Sequence, residues 1–362
     1  MCELVYAAML TKNSRDVLGL KAARRRTAIW ITALFVLLAG TLVLSVGYGP
    51  VPVSPRESAS IIANHIFGSE LPVTSLNEAI VWEIRVPRSI LGAVVGAGLA
   101  ISGGVLQTLV RNILADPYII GINGGASTGA ALAILFGAGA AFGDYALQGS
   151  AFIGALAASL LLFAVARSQG RLTSIRLLMA GVAIGYALSA VTSFLIFASG
   201  DAESSRSVMF WLLGSLGLAK WNGPLLVAVI LVLVCLAILL IVGRHLDALA
   251  VGDETALTAG IHPERFRGIL LVIICLLVGS LVAMAGSISF VGLVIPHLAR
   301  RFVGGAHRMV LPVAALLGAI LLVWADIGAR TLLAPRELSI GIITALVGAP
   351  FLLILVRRMQ AA

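Results

Sequence analysis

The stretch GILLVIICLLVGSLVAMAGSISFVGLVIPHLA, residues 268–299, is long for one membrane helix and tight for two. About 20 apolar residues suffice to cross a hydrocarbon core. The flanks decide between the readings. Segment 244–267 carries Arg244, Arg265 and Arg267, and segment 300–308 carries Arg300, Arg301 and Arg308. Basic loops gather on the cytoplasmic side, so both flanks belong inside. The stretch therefore crosses twice, with its turn near Gly286–Ser287.

Further apolar runs lie near 28–48, 86–109, 117–139, 145–166, 175–199, 222–243, 309–329 and 338–357. The 362-residue chain is 60% hydrophobic and 11% charged, with mean hydropathy +1.08. Soluble domains are about 45–50% apolar and about 25% charged, so a water-soluble fold is excluded. The runs are continuous rather than alternating, which favours helices over a barrel. The expectation is an all-α, polytopic protein with about ten transmembrane helices and both termini cytoplasmic.

The charge distribution agrees. Of the 25 Lys and Arg residues, only Arg56, Arg85, Arg88, Arg206, Lys220, Arg330 and Arg336 fall outside. The net charge of +9 is thus mostly a topology signal, and nothing in it points to nucleic acid. Residues 1–27 read as a basic cytoplasmic tail, with Met9 as a second candidate start, and 28–362 as the membrane domain. The outer loops are 49–85 and 200–221. Within the second, MFWLLGSL (209–216) is half a span long and reads as a re-entrant or interfacial helix. Cys2, Cys235 and Cys275 are placed for neither a disulfide nor a thiolate cluster.

Inside, the loop 244–267 contains DALAVGDETALTAGI (247–261). Asp253 and Glu254 suit the positive end of a short helix, and Gly260 with Pro263 ends it. A capped helix between two spans offers a rigid handle to a soluble partner. Small residues four apart, Gly92/Gly96 and Gly181/Gly185, suit close helix packing in lipid.

Several chemistries are missing from the sequence. There is no phosphate loop of the G-x-x-x-x-G-K-[ST] type, so ATP hydrolysis by this chain is not expected. No catalytic constellation and no metal set is found, and the five histidines are predicted near membrane surfaces. No acid sits at the centre of a span, which disfavours an ion-coupled carrier. Asp326 lies four residues before Arg330, so the two share a helix face as a structural pair.

Three segments together resemble the FecCD family of permeases. They are RVPRSILGAVVGAGLAISGGVLQTLVRNILADPYIIGINGGASTGA from Arg85, GSISFVGLVIPHLARR from Gly286, and ADIGARTLLAPRELSIGIITALVGAP from Ala325. The loop LAVGDETALTAGI is similar to the family's cytoplasmic coupling element. The resemblance implies the permease fold of a type II ATP-binding-cassette importer. It implies a homodimer in the bilayer of a bacterial inner membrane, two copies of a separate ATPase holding ATP and Mg, and an outer substrate-binding protein. No cofactor is implied in this chain.

By the same likeness, Arg85, Arg88 and Arg330 are expected to dock the binding protein. Ala250, Val251, Gly252, Asp253 and Glu254 are expected to meet the ATPase, and Thr173 and Ser174 to form an inner gate before the path-lining fifth span. The expected cargo is a ferric siderophore, with haem or cobalamin as alternatives. Where many family members have P-x-E-L-P-[IV]-G, this chain has PRELSIG, with Ser339 in place of proline.

Overall fold

The computed structural model describes residues 20–167 and 173–360. Met9, Lys12, Arg15 and Arg171, assigned above to the cytoplasmic side, lie outside the described residues. The described residues are helical nearly throughout, and each predicted apolar run carries a helix. In order these are α1 (Leu20–Gly47), the outer helix α2 (Pro55–Phe67), α3 (Ser75–Leu109), α4 (Ile122–Phe136), α5 (Ala146–Arg167) and α6 (Ser174–Ser199). Then come α7 (Ala202–Leu212), α8 (Gly223–Ile241), α9 (Gly243–Val251), α10 (Asp253–Thr258), α11 (Pro263–Ala285), α12 (Val291–Val303), α13 (His307–Thr331) and α14 (Ile340–Gln360).

Seven helices among the described residues are long and apolar enough to cross a membrane. The remaining predicted runs are shorter or interrupted. Helix α12 has 13 residues and α4 has 15, so they reach about 20 Å, less than a hydrocarbon core of about 30 Å. The turn expected near Gly286–Ser287 is present as a break from Gly286 to Phe290. This break is packed inside the protein, with Ala285 and Ile288 fully buried.

Non-helical backbone at membrane depth survives only where protein satisfies its polar groups. Three chain breaks meet here and do so. Ser215 N–H donates to Ala285 O at 2.9 Å, Gly341 N–H to Leu213 O at 3.0 Å, and Ile340 N–H to Gly214 O at 3.3 Å. The Tyr118 hydroxyl accepts from Ile288 N–H at 2.8 Å. The MFWLLGSL segment is therefore split: its first half closes α7, and Gly214–Leu216 plug into the junction, with Leu216 fully buried.

Close packing is set by glycine. A Cβ on Gly96 of α3 would lie 2.1 Å from Gly318 O of α13, and one on Gly318 would lie 2.3 Å from Gly96 O. The two backbones touch, which couples α3 and α13 along their length. Gly125 of α4 and Gly154 of α5 repeat the device. By contrast α6 is mostly uncovered, with Leu177, Ala180, Gly181, Ile184 and Thr192 buried.

Candidate functional site

The ends of α3 and α13 that the charge pattern assigns to the outer face, with the opposite ends assigned to the inner one, hold the three arginines singled out in the sequence, all buried at 2–6% exposure. Arg85 donates to Val46 O at 2.9 Å, to Gly47 O at 3.2 Å and to Val51 O. Arg330 donates to Tyr48 O at 2.9 Å, and to Ser45 O at 3.3 Å and Ser45 Oγ at 3.0 Å. The last carbonyls of a helix have no partner within it and form its negative end. Arg85 and Arg330 thus cap the C-terminus of α1.

Arg88 turns the other way. Its Nε donates to Asp326 Oδ1 at 2.9 Å, and its Nη1 to the two Glu337 oxygens at 2.9 and 3.2 Å. The predicted Asp326–Arg330 pair forms, with Arg330 Nε 3.0 Å from Asp326 Oδ2. Its alignment is poor, because the same N–H aims at Asp326 O at 3.4 Å. Asp326 therefore binds Arg88 by a directed bond and Arg330 by charge alone. Buried ions persist only with such partners. Glu337, which links this lattice to the surface with a side chain 42% exposed, was not singled out from the sequence. Its place within PRELSIG was the available signal.

At the inner end the loop holds two short helices rather than one. The amphipathic RHLDALAV segment buries Leu246 and Leu249 and forms α9, and Gly252 joins it to α10. Gly260 ends the unit with φ +77 while Ile261 N–H donates to Ala256 O at 2.9 Å. Asp253 fixes it from below. Its two oxygens accept from Arg267 Nη1 and Nη2 at 3.0 and 2.6 Å, and Arg111 adds a third bond. The Arg267 hydrogen bonds, then the Arg267 and Arg111 charges, outweigh burial and hold its carboxyl below the usual aspartate range. Ala250, Val251 and Glu254 remain exposed, and so does Leu257.

Thr173 and Ser174 do not form a free loop: they open α6. Thr173 Oγ1 caps Arg176 N–H at 3.4 Å, and Ser174 Oγ donates to Leu109 O at 2.9 Å. From there α6 exposes Ile175, Met179, Val182, Tyr186, Phe194 and Phe197. Its sole charged residue is Arg176, in the first turn. Beside it a groove is lined by uncharged groups such as Tyr118, Asn123, Ser127, Ser189 and Ser193. A lining of this kind offers a solute hydroxyl and amide groups but no fixed charge.

His307 stands at the first residue of α13, near a helix end as expected, but it is buried there at 3% exposure rather than solvated. Among the described residues no group of three or more His, Cys, Asp or Glu could hold a metal.

The FecCD transport family model matches residues 35–358. The chain belongs to the FecCD transport family. It is 38% identical to the cobalamin import system permease protein BtuC of Halobacterium salinarum, covering 93% of this chain and 98% of that protein. It is 42% identical to the hemin transport system permease protein HmuU of Yersinia pestis, over 79% of this chain and 85% of that one. The iron(3+)-hydroxamate permease FhuG of Bacillus subtilis is 33% identical, over 94% and 99%. A solved structure of a metal-chelate type ABC transporter in an inward-facing conformation superposes with TM-score 0.78 at 33% identity, covering 91% and 98% of the two chains.

This family member is thus the permease subunit of a type II ABC importer for the metal-chelate class. It is a multi-span membrane protein working within a multi-subunit complex, and ATP hydrolysis occurs on a separate subunit. The ion-coupled carrier is set aside by the same finding.

Proposed function

We propose that this permease imports a corrinoid, cobalamin or a near relative, as a homodimer of ten-span subunits with both termini inside. The cargo reading departs from the ferric siderophore expected above. Its support is the pattern of relatives: a cobalamin permease matches over nearly the whole chain at 38% identity, and the hydroxamate permease at 33%. Haem is the second reading, favoured by the hemin permease at 42%.

Two ATPase copies bind inside and one binding protein outside. The ATPase meets Ala250–Glu254, where exposed Val251 and Leu257 offer apolar contact over a loop pinned by Asp253. The binding protein docks over Arg85, Arg88 and Arg330. Since these are saturated by their own chain, an incoming carboxylate would exchange with Glu337 on Arg88 or with the α1 carbonyls. Thr173 and Ser174, at the inner mouth of the path, would close it against the mate's copies.

The test is uptake by vesicles holding this chain with the ATPase and binding protein from its own genome. ATP-dependent accumulation of labelled cyanocobalamin, unaffected by excess ferric hydroxamate, is expected. Accumulation of ferric hydroxamate with cobalamin excluded would return the cargo to the siderophore class.

A further inference from the structure

The inner ends of α3 and α13 carry a polar chain that ties them to the first helix of the coupling loop. Asp247 lies on α9, one turn before the ATPase-facing residues. Its Oδ1 accepts from the backbone N–H of His307 at 2.8 Å and from His307 Nδ1 at 2.6 Å. The other ring nitrogen, Nε2, lies 2.7 Å from Thr108 Oγ1, near the end of α3. His307 and Thr108 are both buried, so water does not compete for the bond between them, while the Asp247 side chain is 37% exposed.

The chain also completes α13. The N-cap residue Ala306 has no side chain able to cap, and Asp247 supplies the missing acceptor from α9, at the positive end of α13. Arg308 returns the favour to the preceding span: it donates to Leu240 O at 3.0 Å and Ile241 O at 2.9 Å, the last carbonyls of α8.

At the far end of the same two helices sits the Arg88–Asp326–Arg330 lattice. Between the ends the Gly96 and Gly318 backbones pack directly against each other. One helix pair therefore spans the protein, fixed by buried polar groups at each end, with its inner end tied to α9.

We infer that Asp247, His307 and Thr108 are positioning residues for energy coupling: they clamp α9 to the α3–α13 pair, so that displacement of the coupling helices moves the pair as a unit. The inference rests on the importer reading above. A rigid linkage with two discrete placements is the physical requirement for coupling between distant sites.

The readout that a purely structural cap would leave alone is the ratio of cargo moved to ATP hydrolysed. In vesicles holding the full complex, Asp247→Asn and Thr108→Val should lower that ratio about fivefold or more. Arg308→Ala, which removes a cap on the same turn but not the clamp, should lower thermal stability and leave the ratio unchanged. Thr108→Ser should restore wild-type coupling. Wild-type ratios in both Asp247→Asn and Thr108→Val would overturn the inference, as would an equal loss in Arg308→Ala. If either clamp variant fails to assemble, the other decides, and if neither assembles while Arg308→Ala does, the clamp is structural. Failure of the wild-type chain to bind an ATPase would instead overturn the importer reading.

Discussion

At the outer end of α3 and α13, Arg88, Arg330 and Asp326 are buried and spend their polar groups on each other and on α1. At the inner end, Asp253 holds Arg111 and Arg267 while its own side chain stays 44% exposed. Apolar Val251, 75% exposed, stands beside it. Both ends use arginine–aspartate pairs. The outer set fixes the subunit's own helices, whereas the inner set holds up a surface that the chain itself leaves uncovered. Charge pairs thus serve architecture where they are dry and presentation where they are wet.

The comparison breaks first at Asp326. Asp326→Ala removes the buried carboxylate between two buried guanidinium groups, leaving Arg88 to Glu337 and Arg330 to α1, and should cost about 3 kcal/mol, read as a large fall in the thermal unfolding midpoint of the purified protein. An unchanged midpoint would mean that the outer lattice carries no architectural load. Next is the contact joining the ends. Gly318→Val places side-chain atoms against Gly96 O and should destabilise by about 1–3 kcal/mol in the same assay.

At the inner end the expectation reverses. Val251→Asp combined with Leu257→Asp should alter stability by only about 0.5 kcal/mol, yet abolish co-purification of the ATPase. Retained co-purification would place the docking surface elsewhere.

Two smaller effects sharpen the contrast. Glu337 is half-exposed, so Glu337→Gln should cost about 1 kcal/mol or less while changing the salt dependence of binding-protein association, measured by surface binding at two ionic strengths. The last concerns pH. Because the Asp253 carboxyl is held below its ordinary value of about 4, its pairing is fully present above that value and lost as pH falls through the lowered one. ATPase association should therefore be flat from pH 7 to 5, with loop-specific weakening only in stronger acid. Weakening near pH 6 would implicate another group.

Hydropathy was enough to place the helices, including the break after Ala285, because a bilayer demands long apolar runs. The short reach of α12 and α4 was not legible, since their neighbours in sequence are equally apolar whether or not they stay helical. The Asp326–Arg330 pair could be read from four-residue spacing. Arg88–Glu337 and Asp247–His307 could not, because they join residues far apart in the chain that only tertiary packing brings together. Burial of the outer arginines was likewise hidden: their partners are carbonyls, which every residue possesses.

The α6 wall, studded with Met179, Tyr186, Phe194 and Phe197 and free of charge past its first turn, bears on how such systems diversify. A lining of that sort has little means of rejecting one large nutrient in favour of another. With α6 lining the path as proposed, proofreading would fall to the binding protein proposed to deliver the molecule. A lineage can change its diet by altering that receptor, leaving the membrane machinery as inherited.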